Sequence, residues 1–469
     1  MTDDEVHFLG MSELARLLHA RKLSPVELTK SMLARIDRLD RRLGAFARVT
    51  QDLALAQARD AEALIMQRRI LGPLHGVPIA LKDLCYTKGI ATAAGMPIHA
   101  DFVPTYDGTV TARLRDAGAV VLGKLQMTEG AFADHHPRIK VPVNPWHADH
   151  WSGASSSGSG VALAAGMCFA TIGTDTGGSI RYPAAANGVT GLKPTWGRVS
   201  VNGAYELAAS LDHIGPMARS AADAGAMLGI IAGADPRDPT ASLEPVPDYL
   251  AGSDRDLRGV RIGVDPIYIS KGVDATTQAT LEQAREVLVS LGAELRTVSF
   301  PDPTDAIADW AVNCAVETAV AHATTFPSRR AEYGPGLAGF IDSARSVSAL
   351  DLQRVLLRRR AFAGRVAALF GSIDLLLIPA QSMASPTIAQ MATLGTDPQL
   401  FEALAKFAMP FNMTGSPTIT LPAGFTAQGT PVAVQLVARH WAEALLVRAG
   451  RAFQRETDWH RRRPALRAG

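Results

Sequence analysis

Short apolar runs alternate with helical patterns through most of the chain. Residues 76–81, 120–122 and 169–174 are largely apolar and predict buried strands, whereas the segments 109–117 and 161–166 are typical of helices. Strands that alternate with helices in this way form a sheet that is covered by helices on both faces. The pattern therefore predicts an α/β fold.

The beginning of the chain predicts helices alone. Ser24 is followed by Pro25 and, three residues after the serine, by Glu27, which is the capping-box pattern of a helix start. The helix that follows has its apolar residues on one face, and a second helix is predicted at 51–69. We therefore expect residues 1–70 to form an outer helical layer.

The second half of the chain returns to strands after a polar break. Residues 235–256 are rich in proline and aspartate and predict a surface segment. Strands are then predicted at 261–264, 374–379 and 432–437, with a helix at 278–291. No internal repeat is present, and no linker is long enough to establish separate domains.

Composition and charge exclude several classes of protein. The chain has 469 residues, of which 47% are hydrophobic and 20% charged, as in ordinary globular proteins. Its 47 basic residues nearly balance 45 acidic ones, for a net charge of +2, so no global field favours nucleic acid.

The cysteines, the first residues and the apolar stretches indicate in which cellular compartment the protein works. Cys85, Cys168 and Cys314 are odd in number and far apart, which indicates buried thiols in a reducing compartment. The first residues lack the basic and apolar regions of a signal peptide, and no apolar window could span a bilayer. We expect a cytoplasmic protein that is not bound to a membrane.

Residues 152–160 consist of five serines, three glycines and one alanine. Such a composition is typical of a flexible linker. The run lies inside the densest α/β region and directly before an apolar helix, which weakens that interpretation.

Two glycines precede Ser179 in a second segment, 173–181. They allow the backbone to turn with its N–H groups on one side, as the stabilisation of an oxyanion requires. Neither a G-x-S-x-G elbow nor an S-x-x-K pair is present, so any base must come from elsewhere in the fold. Lys82 is the best candidate, because burial after an apolar strand would lower its pKa. The alternative is that Lys82 extends to solvent or pairs with Asp83.

These segments, taken in order, resemble the amidase signature family. The matching texts are Gly-Val-Pro-Ile-Ala-Leu-Lys-Asp at 76–83, the serine run, and Gly-Thr-Asp-Thr-Gly-Gly-Ser-Ile-Arg at 173–181. The similarity continues through 191–195, 211–217 and 411–415, so it covers about residues 10 to 455.

The resemblance implies one large α/β/α sandwich around a mixed twisted sheet, with extra N-terminal helices. We expect residues 1–469 to form one amidase domain. Its expected parts are the helical layer 1–70, the signature core 71–235 with the catalytic residues, a helical or inserted region 236–370, and the C-terminal part of the core 371–469.

The family uses a Ser–cis-Ser–Lys triad, and its roles transfer to matching positions. The resemblance implies that Ser179 is the acylated nucleophile, that Ser155 is the bridging serine after a cis peptide bond, and that Lys82 is the base. It also implies an oxyanion hole and a substrate contact, formed by the backbone amides of Thr176, Gly177, Gly178 and Ser179 and by Ala131.

The chain departs from the family in two places. Ala154 and Ser157 replace glycines of the usual Gly-Gly-Ser-Ser-Gly-Gly-Ser text, and the segment 129–137 is unlike the usual sequence at the edge of the substrate pocket. The second departure bears on the choice of substrate.

The resemblance implies an amidase that forms a seryl acyl-enzyme on a linear amide, such as an aryl amide, an anilide or a carbamate. The alternative is the glutaminase (A-type) subunit of a tRNA-dependent amidotransferase. No cofactor and no nucleic-acid partner is expected, and the sequence is compatible with a homodimer. We expect no metal, because Pro145 and the serine run argue against a helix that would pair His147 with His150.

Overall fold

The computed structural model describes residues 3–466. Within that range, eleven strands form one mixed sheet in the order β1-β3-β2-β4-β6-β5-β10-β11-β9-β7-β8. The strands are β1 (Phe46–Val49), β2 (Pro78–Lys82), β3 (Val120–Leu125), β4 (Ala170–Asp175), β5 (Thr190–Lys193), β6 (His213–Ala218), β7 (Arg261–Val264), β8 (Glu294–Thr297), β9 (Leu375–Pro379), β10 (Thr418–Phe425) and β11 (Pro431–Ala438).

Helices connect most of the strands. They are α1 (Asp3–His7), α2 (Met11–His19), α3 (Pro25–Leu43), α4 (Gln51–Met66), α5 (Thr109–Asp116), α6 (Ser157–Ala164), α7 (Arg181–Asn187), α8 (Ala221–Ile231), α9 (Pro266–Ser270), α10 (Ala275–Ser290), α11 (Thr304–Ala321), α12 (Pro335–Ala344), α13 (Ala349–Leu369), α14 (Ile388–Met391), α15 (Pro398–Ala405), α16 (Met409–Met413) and α17 (Glu443–Glu456). Short 3-10 helices lie at Pro97–His99, Glu129–Ala131, Arg330–Glu332 and Trp459–Arg461.

The central strands are buried along their whole length. Every residue of β2, β3 and β4 is buried. Because successive side chains of a strand point to opposite faces, both faces of this part of the sheet must be covered. The predicted α/β class is therefore confirmed.

Two parallel strands at the centre determine where polar side chains meet. β2 lies between β3 and β4 and runs parallel to both, with Leu81 opposite Ile172 of β4. The carboxyl ends of parallel strands lie at the same edge of a sheet. Lys82, the last residue of β2, is thereby placed near Thr174 and Asp175 at the end of β4.

Two helix starts can be compared with the sequence analysis. The helix predicted from residue 161 begins earlier, at Ser157, inside the serine run. Ser24 caps α3 as expected, since its hydroxyl accepts from the amides of Val26 and Glu27. The Glu27 carboxylate does not complete the capping box, because it accepts a hydrogen bond from Lys30 instead.

The cysteines are buried as expected, and the apolar window 407–438 does not form one long helix. Cys85, Cys168 and Cys314 are free and buried. The window 407–438 contains α16 and the antiparallel pair β10 and β11. Among the residues that the structure describes, no helix combines the length and the apolar character needed to cross a membrane.

Candidate active site

Lys82 lies at the centre of the candidate site and has no exposed surface. Its Nζ donates hydrogen bonds to the hydroxyl of Ser155 at 2.6 Å and to that of Thr174 at 2.7 Å. Asp83, the alternative partner, lies 3.7 Å from Lys124. The lysine therefore neither extends to solvent nor pairs with its neighbour.

Burial makes Lys82 a candidate base. Desolvation lowers the pKa of Lys82 to about 7, although the charges of Asp212 and Asp175 oppose the shift. In the described part of the chain, the Lys82 ammonium contacts hydroxyls and forms no ion pair. A substantial fraction of the amine is therefore neutral near neutral pH, with a lone pair that can accept a proton.

The serine run is an ordered loop that is anchored to β4. The peptide bond between Ala154 and Ser155 is cis. The next residue, Ser156, exchanges hydrogen bonds of 3.3 Å with the backbone of Thr174, and Ser159 donates to the carbonyl of Ile172 at 3.0 Å. The linker interpretation is therefore wrong, because the hydroxyls of the run bond to the neighbouring strand.

Asp175 holds the turn that carries Ser179. Its carboxylate accepts from the amides of Gly178 at 2.8 Å and Ile180 at 3.0 Å. The same carboxylate pairs with the Arg181 guanidinium at 2.8 Å, and both side chains are fully buried. Although burial opposes the charge, the contacts with Arg181 hold the pKa of Asp175 well below its usual range.

The two glycines of the turn have no room for a side chain. A Cβ at Gly177 would lie 2.5 Å from the Trp310 ring, and one at Gly178 would lie 2.3 Å from the Tyr182 ring. Gly178 also has a φ of 127°, which L side chains rarely adopt.

The amides of the turn differ in whether they are available. The amide of Gly178 is already bound to Asp175. Within residues 3–466, the amides of Thr176, Gly177 and Ser179 have no acceptor. The geometry thus favours these three over Gly178 as donors to a developing oxyanion.

Asp212 is a partly buried carboxylate that the sequence analysis did not select. It accepts from the Thr176 hydroxyl at 2.5 Å and from the amides of Leu207 and Ala208. Burial raises the pKa of Asp212 to about 7. Its position in the matched segment 211–217 was the available signal, but the contact with Thr176 depends on the fold.

Ser179 opens into a cavity of about 760 Å³. Ala131, Thr176 and Gly177 also line it, whereas Gly178 does not. Aromatic side chains and small residues form most of its wall, among them Trp151, Tyr182, Trp310, Phe132, Phe340, Ala133, Ala311, Gly336 and Gly339. Throughout the described range, no three His, Cys, Asp or Glu side chains are grouped to hold a metal ion.

The region that departs from the family text forms part of this cavity. Phe132 stacks on Phe340 of α12, with ring centroids 4.2 Å apart. The ring of His135 lies 3.0 Å from the hydroxyl of Ser157. The segment 129–137 and Ser157, which both differ from the usual family sequence, are thus in contact, and this contact links the wall of the cavity to the serine loop.

Comparisons with known proteins agree with this arrangement. The family Amidase matches residues 27–447. The chain is 49% identical to the putative amidase AmiD of Mycobacterium tuberculosis (strain ATCC 25618 / H37Rv), over 99% of this chain and 98% of the relative. It is 38% identical to the A-type subunit of the glutamyl-tRNA(Gln) amidotransferase of Geobacter sp. (strain M21), over 98% of this chain and 100% of that relative.

A solved structure gives the same result. The native peptide amidase of Stenotrophomonas maltophilia superposes with a TM-score of 0.82 at 31% identity, covering 97% of this chain and 98% of that one. The fold is thus that of a hydrolase acting on carbon–nitrogen bonds. The chain belongs to the amidase signature family.

We expect the substitution Arg181→Met to lower the free energy of unfolding by about 3–5 kcal/mol, because it leaves the buried Asp175 carboxylate without its counter-charge. Urea titration followed by circular dichroism measures the change. Arg354→Met is the matched control, since Arg354 pairs with Asp351 on the exposed face of α13 and should leave the midpoint unchanged. Equal midpoints for the two variants would contradict the role assigned to the buried pair.

Proposed function

We propose that this amidase hydrolyses a linear amide through an acyl-enzyme on Ser179, with Ser155 and Lys82 as the proton relay. The observation that carries the proposal is the buried 2.6 Å contact between Lys82 Nζ and the Ser155 hydroxyl. The adjacent residue, Ser156, donates its amide to the carbonyl of Ser179 at 3.3 Å, which ties the two serine segments together.

In the first step, the Ser179 hydroxyl attacks the carbonyl carbon of the substrate. Its proton passes to the Ser155 oxygen, while the Ser155 proton passes to the neutral amine of Lys82. The new C–O bond forms as the C=O π pair moves onto oxygen. The amides of Thr176, Gly177 and Ser179, which lack an acceptor within the described range, are the donors available to stabilise that oxyanion.

The relay then runs in reverse. Protonated Lys82 returns a proton through Ser155 to the departing nitrogen, the C–N bond breaks, and the amine leaves. Water attacks the resulting ester, giving its proton to the same relay, and the Ser179 oxygen departs with a proton. The relay ends in its starting state, so no further reactant is required.

The cavity supports an amide with an apolar body, such as an aryl amide, an anilide or a carbamate. Its volume of about 760 Å³ is within the range of small-molecule sites. Among the described residues, no lysine or arginine lines it. The α-carboxylate of a glutamine substrate would lack a cationic partner there, so we favour a stand-alone amidase over the glutaminase component of an amidotransferase.

We also propose that the chain forms one catalytic unit and works in the cytoplasm. Arg181, in the expected signature core, contacts Asn412 and Gln435 of the expected C-terminal part, so both parts build one site. Three buried free thiols are compatible with a reducing compartment.

The central test combines turnover with labelling. We expect the purified chain alone to hydrolyse small anilides but not glutamine, and Ser179→Ala and Lys82→Ala each to lower kcat by roughly 10⁴-fold or more while remaining folded. Intact-protein mass spectrometry after a serine-directed acylating probe should place the label on Ser179.

Ser159→Ala is the matched control, because Ser159 is a buried serine of the same run whose hydroxyl bonds to the backbone of Ile172. It should retain turnover. Near-native rates for Ser179→Ala would defeat the proposal, and glutamine turnover that requires partner subunits would favour the amidotransferase alternative.

A pH profile tests the role of Lys82. Because only the neutral amine accepts a proton, kcat/KM should rise with pH and level off above the pKa of Lys82, about 7. Asp212 has a pKa of about 7 as well, so Asp212→Asn separates the two groups.

The charge of Asp212 raises the pKa of Lys82, so Asp212→Asn should move the inflection to lower pH. If the inflection disappears in that variant, it belongs to Asp212 and the lysine is not the titrating base.

Gly339 tests the size of the bound substrate. It lines the cavity on α12, and apart from its own turns of helix no described residue has an atom within 4 Å of a Cβ built there. Gly339→Leu should therefore fold normally and lower kcat/KM for a bulky anilide about tenfold more than for a small aliphatic amide. Gly364→Leu, on α13 with equally open space, is the control and should leave the ratio unchanged.

A further inference from the structure

Among the described residues that line the cavity, Asp134 is the only carboxylate, and no lysine, arginine or histidine accompanies it. The other lining residues are apolar, aromatic, hydroxyl-bearing or glycine. Asp134 is exposed to solvent at the cavity, so its charge is hydrated while the cavity holds only water. A bound substrate that covered the carboxylate would remove that water, which is costly unless the substrate supplies a counter-charge. The question is therefore what faces Asp134.

No cationic group of the described residues faces the Asp134 carboxylate. Within residues 3–466, the Asp134 carboxylate has no hydrogen-bond partner and no ion pair within 4.0 Å, although its backbone carbonyl accepts from the Glu129 amide at 2.8 Å. His135 is turned to the Ser157 hydroxyl, and burial lowers its pKa to about 4, so that ring is neutral at neutral pH.

A charge of the same sign, that of Glu129, is close enough to interact with Asp134. Both oxygens of Glu129 lie 3.0 Å from the Gly334 amide, at the start of α12. Glu129, not Asp134, thus satisfies the end of the helix. Partial desolvation by the cavity wall raises the pKa of Asp134, and no neighbouring group in the described range lowers it.

A glycine gives the Asp134 carboxylate its position. Asp134 Oδ2 occupies the space above Gly336, where a Cβ would lie only 2.6 Å from that oxygen. Gly336 lines the cavity too. The missing side chain lets the carboxylate lie against α12 while it remains open to the cavity.

We infer that Asp134 selects amides that carry a cationic group, an ammonium or a guanidinium, on an apolar body that also reaches Ser179. This inference rests on the proposed function and names its substrate class. The cation would supply the counter-charge that the described residues lack, and the aromatic wall would bind the body of the substrate. Anionic amides would be rejected by the same carboxylate.

Two isosteric pairs test this without requiring turnover. The acyl pair is 4-(aminomethyl)benzamide and 4-ethylbenzamide, and the amine pair is 4-(aminomethyl)acetanilide and 4-ethylacetanilide. Calorimetry on the full chain with Ser179→Ala gives the Kd of each compound. We expect the cationic member of at least one pair to bind about tenfold more tightly, as one charge-assisted contact would provide.

The ratio of the two Kd values within a pair should fall to about one when Asp134→Asn is added. Asp60→Asn, which removes an equal charge on the exposed face of α4, should preserve the ratio. A ratio near one in both pairs, or a preference that survives Asp134→Asn, would overturn the inference. A purely structural role for Asp134 beside α12 would lower stability and leave the ratio unchanged. The proposed function fails separately, through turnover or labelling that does not depend on Ser179.

Discussion

Asp175 and Arg181 form an ion pair in which neither side chain has exposed surface. The carboxylate also accepts from the amides of Gly178 and Ile180, on both sides of Ser179. Charges this deep persist only where donors and acceptors are matched in one geometry, because an unmatched charge in a low dielectric is costly. The turn, and with it the wall of the cavity beside Ser179, takes its position from this pair.

The same interior has the opposite effect on Lys82. Its ammonium is surrounded by hydroxyls rather than by a carboxylate, so desolvation is only partly compensated and the pKa falls to about 7. Asp175 remains charged because Arg181 is in contact with it. One buried charge is thus permanent and structural, and the other can change its protonation state, which is the separation that acid–base chemistry needs.

The predictable parts of the fold are those with uninterrupted patterns. β2 and β9 are apolar runs and follow from composition, whereas β6 and β10 contain glycine and proline and are strands because β4 and β5 pair with them. At the site, Lys82, Ser155 and Ser179 follow from resemblance in motif order. Asp212 does not, because its contact with Thr176 joins segments that only the folded sheet brings together.

The bonds of Arg181 reach far along the chain. Its guanidinium donates to the side chain of Asn412, 231 residues later, and to that of Gln435, 254 residues later. During synthesis from the N-terminus, Ser179 therefore leaves the ribosome long before Asn412 and Gln435, whose side chains bind the arginine beside its turn. The nascent chain thus carries Ser179 in an incomplete turn, and the candidate site is assembled only when the C-terminal strands join the sheet.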